Sequence, residues 1–162
     1  MKRWASLAVT VLVMCVIFVF SGQPGEQSSD LSNKVTKQVE LTCTAKAVTP
    51  AFFSTNPNAN VRKWAHVYIY CALGASMALT VQLFLAKKRP QTRCRLCKGA
   101  ALAVALCTLY ACFDEFHQSF IPDRSAQLSD VGVDALGFIP CALLVSALWY
   151  LARRLKTRPR KK

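Results

Sequence analysis

The chain has 162 residues, enough for one domain, and is 53% hydrophobic while carrying a formal charge of +13. Such a balance fits a nucleic-acid binder, a membrane-surface binder or a membrane protein with basic loops. The charges fall between long apolar runs and leave no stretch for a soluble basic domain, so a nucleic-acid partner is excluded.

Lys2 and Arg3 precede the first run, Trp4 to Phe20, which carries no charge. Its end, Phe18-Val19-Phe20-Ser21, offers no small-x-small cleavage site, so it reads as an uncleaved first span over about 4–20. Residues 21–61 form the one long external segment. Its start is rich in Gly, Ser and Pro; from Asp30 to Lys46 the positions of Leu31, Val35 and Val39 predict a short helix lying on the membrane surface. Residues 49–60 read as loop.

The second span is expected over about 64–86. Arg62, His66 and Tyr70 are four apart and share one helix face, whereas Trp64 and Tyr68 suit an interfacial aromatic belt. For His66 and Tyr70, interfacial anchoring is the plain alternative to a site. A basic turn follows, with Cys94 and Cys97 as C-x-x-C. Zinc would need two further ligands on that side, so reduced thiols are expected there. The remaining cysteines lie mostly inside spans, where Cys acts as a small apolar residue. Cys43 stands alone outside them, and no external disulfide is expected.

Gly99 to Phe113 is too short to cross a bilayer, so the third helix must run on through Asp114, Glu115, His117 and Gln118 to about Ile121. At 100° per residue Leu102, Leu106, Leu109, Phe113, Phe116 and Phe120 fall on one arc. Cys107, Tyr110, Ala111, Asp114, Glu115, His117 and Gln118 fall on the other. Ionisable residues at that depth are costly and must face protein, which marks them as a candidate site. Pro122 and Arg124 sit in the short turn beyond, and Arg124 is expected to pair with one of the neighbouring acids. The fourth span, about 131–152, carries a stripe of Asp130, Asp134, Gly137 and Cys141. Ser129 or Asp130 is expected to cap that helix, Asp134 lies a turn deeper, and Gly137 would let a neighbouring helix approach closely. Residues 153–162 form a basic tail.

Fifteen of the 21 basic residues lie before the first span, between the second and third, or after the fourth, with no acid among them, and all eight acids lie on the other side. The expected fold is therefore all-α: a single membrane domain over 1–162, a four-helix bundle in the cell membrane with the N- and C-termini cytoplasmic. Arg62, His66, Tyr70, Asp114, Glu115, His117, Gln118, Arg124, Asp130 and Asp134 would line a polar pocket at its outer end.

In order along the chain, these residues resemble the VanZ-like family of small membrane proteins. The resemblance covers Ser21, Gln23, Ser29 and Ser32; Arg62, Lys63, His66 and Tyr70; Asp114, Glu115 and Gln118; Pro122 and Arg124; and Asp130, Asp134 and Gly137. Asp134 stands where the family more often has Asn. The resemblance implies a cell-envelope protein and a lowered susceptibility to teicoplanin-type glycopeptide antibiotics. Within the lipid bilayer the pocket would bind a lipid headgroup or a cell-wall precursor through Arg62 and Arg124. The alternative is an intramembrane enzyme, in which His117 or His66 works as acid or base and Asp114, Glu115 or Asp134 orients it. Asp114 and His117 are spaced i, i+3 but lack the second copy of a di-metal bundle, so no metal or other cofactor is expected. Four spans without a repeat, with polar residues at one end, argue against a transporter.

The topology is tested with membrane-impermeant thiol labelling of intact cells. Cys43 should react from outside while Cys94 and Cys97 stay unlabelled, and external labelling of Cys94 would overturn the orientation.

Overall fold

The computed structural model describes residues 1–40, 49–86, 93–124 and 127–157. They form five helices and, among the described residues, no strand. These are α1 (Lys2–Ser21), α2 (Gly25–Glu40), α3 (Pro57–Leu85), α4 (Arg93–Gln118) and α5 (Leu128–Thr157). All but α2 are long and apolar enough to cross a membrane.

The helices reach beyond the apolar runs that announce them. Asn56 starts α3 as N-cap, its side chain accepting from the Asn58 N–H at 3.0 Å, with Pro57 in the first turn. Asn60 and Trp64 then donate to the carbonyl of Pro50 and fold the preceding loop onto the helix. Arg62 and His66 consequently lie inside α3. The third spanning helix ends at Gln118, three residues short of Ile121, and makes up its length on the other side by starting at Arg93. The surface helix begins at Gly25, five residues before Asp30, directly after Pro24. Its predicted end, residues 41–46, and Cys43 lie outside the described residues. Leu128 is the first residue of α5, so Ser129 and Asp130 are not its cap; Asp130 instead sits in the first turn, where a negative charge suits the helix dipole.

Burial is inverted relative to a soluble protein. Leu102, Leu106, Leu109, Phe113, Phe116 and Phe120 are all exposed, as their shared arc predicts, while Ala103, Cys107, Ala111, Asp114, Glu115 and Gln118 are buried. Small side chains let the helices come close, and the long apolar ones are left for the surroundings.

The closest approach joins α3 to α5. A Cβ on Gly74 would strike the Phe138 backbone, 2.7 Å from its Cα, and a Cβ on Gly137 would strike the Val67 carbonyl oxygen. The two helices touch backbone to backbone along this seam. The seam also brings Cys71 within 5.5 Å (Cα–Cα) of Cys141, and the two are joined as a disulfide. This corrects the expectation that the span cysteines serve as small apolar residues. Seventy residues separate the two in sequence, and the helix crossing is what pairs them. Cys94 and Cys97 are free.

At the end where α1 begins and α3 ends, the Thr80 hydroxyl shares hydrogen bonds with those of Ser6 (2.8 Å) and Thr10 (2.9 Å), tying α1 to α3. Halfway along, Tyr110 donates to the Met14 carbonyl at 2.6 Å and ties α1 to α4. At the opposite end α2 crosses over the bundle. The Gly25 N–H donates to Pro122 in the α4–α5 turn, and Thr36 donates to Asn58 at the start of α3.

The seam predicts the cost of a single methyl. Gly137→Ala puts Cβ against backbone, which cannot rotate away, so thermal unfolding in detergent should show a loss on the order of 1–3 kcal/mol. Unfolding at the wild-type temperature would show that the crossing relaxes freely.

Candidate functional site

Four helix ends meet beneath α2: the end of α1, the start of α3, the end of α4 and the start of α5. The end of α4 carries Asp114, which is 1% exposed. Its Oδ2 accepts from Ser21 Oγ of α1 at 2.9 Å, from Tyr70 OH of α3 at 3.1 Å and from Gln118 Nε2 one turn on at 3.2 Å. Three donors on one oxygen compensate a carboxylate withdrawn from water. Tyr70 is itself fully buried.

A second buried carboxylate, Asp134 of α5, faces α3. Its Oδ1 lies 3.1 Å from His66 Nδ1. With Asp134 ionised, Nδ1 is the donor, and in either case Nε2 is the ring's remaining hydrogen-bonding group. Glu115 accepts the Gln127 backbone N–H at 2.9 Å, which fixes the start of α5 against the end of α4. Asp130 pairs at 3.9 Å with Lys63 on the rim.

The two arginines do not answer these acids directly. The turn between α4 and α5 places Pro122 second and Asp123 third, with Asp123 at φ 60°, a left-handed conformation that a short polar side chain tolerates. The Arg124 N–H closes the turn on the Ile121 carbonyl at 3.2 Å. Arg124 is thereby aimed back at the bundle, where its Nη1 donates to Gln118 Oε1 at 3.1 Å. The expected pairing of Arg124 with an acid is not what the structure shows. The Gln118 amide stands between them, donating to Asp114 and accepting from Arg124. Burial, and next the charge of Arg62, lower the Arg124 pKa from its ordinary value. Among the described residues no carboxylate lies within 4.0 Å of either Arg62 or Arg124.

Arg62, His66, Gln118, Arg124, Asp130 and Asp134 line one polar cavity of about 330 Å³, together with Lys63, Asp123 and Gln127. The structure thus brings together six of the ten residues singled out in the sequence. Tyr70, Asp114 and Glu115 lie behind its wall. His117 is turned away: its ring stacks on Phe18 of α1 at 4.3 Å, with Gly22 packed beside it, so it packs the α1–α4 seam rather than facing the cavity. Asp114 and His117 therefore address different neighbours. Among the described residues, no group of three or more His, Cys, Asp or Glu side chains could hold a metal ion. Sequence reasoning about the pocket passed over Ser21, Lys63 and Gln127. Ser21 and Lys63 carried a signal in their place within the ordered motif; Gln127 acts through its backbone N–H, which leaves none.

The family model for VanZ/LLP1 matches residues 6–151, nearly the whole chain. No curated protein and no solved structure matches it.

The Asp114 cluster sets an order of substitution effects. Asp114→Ala strands three donors and should cost on the order of 1–3 kcal/mol in thermal unfolding, while Tyr70→Phe, which removes one donor, should cost about 1 kcal/mol. Equal stability of Asp114→Ala and wild type would deny the cluster its structural role.

Proposed function

The chain belongs to the VanZ/LLP1 family, and from that premise we propose that it is a cell-envelope membrane protein whose polar cavity binds an anionic group of an envelope component. In this reading both termini are cytoplasmic, so the cavity opens on the outer side of the cell membrane. The observation that carries the proposal is the state of the two guanidinium groups. Arg62 and Arg124 face one cavity with no carboxylate within 4.0 Å among the described residues, while Asp134 and Asp130 already have His66 and Lys63. Two like charges lining one cavity with no carboxylate at pairing distance favour an anionic ligand, and guanidinium groups meet phosphate or carboxylate oxygens through paired hydrogen bonds. Lowered teicoplanin susceptibility is the cellular consequence proposed for this binding.

A specific contact favours a second reading, an enzyme acting on the bound headgroup. His66 is oriented by Asp134 through Nδ1 and lines the same cavity as the two arginines, which is the arrangement a general acid or base requires. It replaces His117 as the histidine for such a role.

Purified protein should unfold at a higher temperature in glycerol 3-phosphate, since a ligand that binds only the folded state stabilises it. Arg62→Ala and Arg124→Ala should abolish the shift, and Arg124→Lys should reduce it, because the charge survives but the planar fork is lost. In a sensitive host lacking the protein, wild type should lower teicoplanin susceptibility and Arg124→Lys at equal membrane abundance should not. No stabilisation of wild type by glycerol 3-phosphate would sink the anion site. New products from envelope lipids by mass spectrometry, lost in His66→Gln, would select the enzyme.

A further inference from the structure

The polar cavity has a neighbour. A second cavity, of about 250 Å³, lies between α1, α2 and α3, and its walls are mostly apolar: Ile17 and Phe20 from α1, Leu31 and Val35 from α2, Val61 and Ile69 from α3, with Ser28 and Ser32 of α2 among them. Arg62, His66 and Arg124 line both cavities. The two spaces therefore lie side by side, and the basic residues form the wall they share.

The apolar groove is left uncovered by the fold. Ile17 and Val61 are buried at its base, yet Phe20, Leu31 and Val35 remain 49%, 47% and 43% exposed. Leu31 and Val35 are four apart on an otherwise polar helix, so α2 turns its apolar edge to the groove. The anchoring of α2 at Gly25 and Thr36 sets that edge over the bundle end, level with the cavity that holds the two arginines. A soluble anion would satisfy the arginines and leave the groove empty of partners. A hydrocarbon would fill the groove and leave the arginines unanswered.

Resting on the anion-site reading above, we propose that the occupant is a phosphate-headed membrane lipid, its phosphate between Arg62 and Arg124 and an acyl chain in the groove under α2. Leu31 and Val35 then cover the chain from one side and Ile17 and Ile69 from the other. His66, in the shared wall, meets the ester region between chain and phosphate. The lipid reaches the site sideways, from the bilayer, without crossing it. Phosphatidic acid, whose terminal phosphate offers more negative charge and more free oxygens to two guanidinium groups than a phosphodiester does, suits the arginines better than a choline lipid.

The test separates the groove from the anion site. Ala65 lines the groove and is exposed, so Ala65→Trp fills the groove without entering the core. Val35→Trp narrows it from α2, and both variants are first checked for wild-type helicity. Full-length protein in detergent is offered phosphatidic acid or phosphatidylcholine and read by native mass spectrometry, while glycerol 3-phosphate is read by thermal stabilisation. Wild type should retain phosphatidic acid at least about tenfold better than phosphatidylcholine. Both Trp variants should lose that retention by about tenfold while keeping stabilisation by glycerol 3-phosphate. Arg62→Ala should lose both. Folded Trp variants that keep phosphatidic acid at the wild-type level, or a wild type that binds the two lipids alike, would overturn the lipid proposal and leave the anion site standing. Absence of stabilisation by glycerol 3-phosphate in wild type would remove the anion site and the lipid with it.

Discussion

A carboxylate buried at the meeting of three helices organises this end of the molecule. Asp114 is 1% exposed, and a charge so withdrawn is tolerable only if donors replace the water it has lost. Ser21, Tyr70 and Gln118 supply them from α1, α3 and α4. Each donor is confined by that duty. Ser21 is the last residue of α1, so the end of that helix is pinned. Tyr70 fixes the rotation of α3, which places His66 and Arg62 one and two turns above it. Gln118 fixes its amide orientation on Asp114, so that its oxygen is left for Arg124. The geometry of this end of the bundle follows from satisfying one buried acid.

The second constraint is the seam between α3 and α5. Gly74 and Gly137 let the two backbones touch, and everything on those helices is registered by that contact. Asp134 lies three residues before Gly137, and His66 immediately precedes Val67, the residue that Gly137 meets. The His66–Asp134 contact is therefore a consequence of the crossing as much as of attraction between the groups. The Cys71–Cys141 bond is another consequence of the same register, one turn further along both helices. A stripe of small residues by itself says little; here it aligns a histidine with a carboxylate.

The two constraints leave the arginines as the excess. Asp114, Asp134, Glu115 and Asp130 are taken up by Tyr70, His66, the backbone of Gln127 and Lys63. Arg62 and Arg124 face the cavity, Arg124 on a neutral amide in place of a carboxylate. A neutral relay between acid and base keeps the guanidinium in place without neutralising it, so its charge is directed at the cavity. The apolar groove beside it meets the same two residues. A polar and an apolar space thus share one basic wall.

Much of this was legible in the sequence, for reasons that are local. Four apolar runs, the third lengthened through its polar end, dictate four long helices, and the segregation of acids from basic loops dictates which helix ends gather them. The period of the α-helix alone separates the exposed Leu–Phe arc of α4 from its buried arc, because that period needs no partner to operate. Which donor meets which acid was decided only in the tertiary structure. Tyr70 rather than an arginine reaches Asp114, Asp134 rather than Glu115 takes His66, and His117 turns to Phe18. The sequence places His117 on the polar arc of its helix, but the arc is wide, and packing against α1 claims one edge of it. The cysteine pair was hidden for the same reason. A helix period fixes the face a residue occupies; the rotation and depth of the neighbouring helix are set by distant contacts such as Gly137 on Val67, and those exist only once the chain has folded.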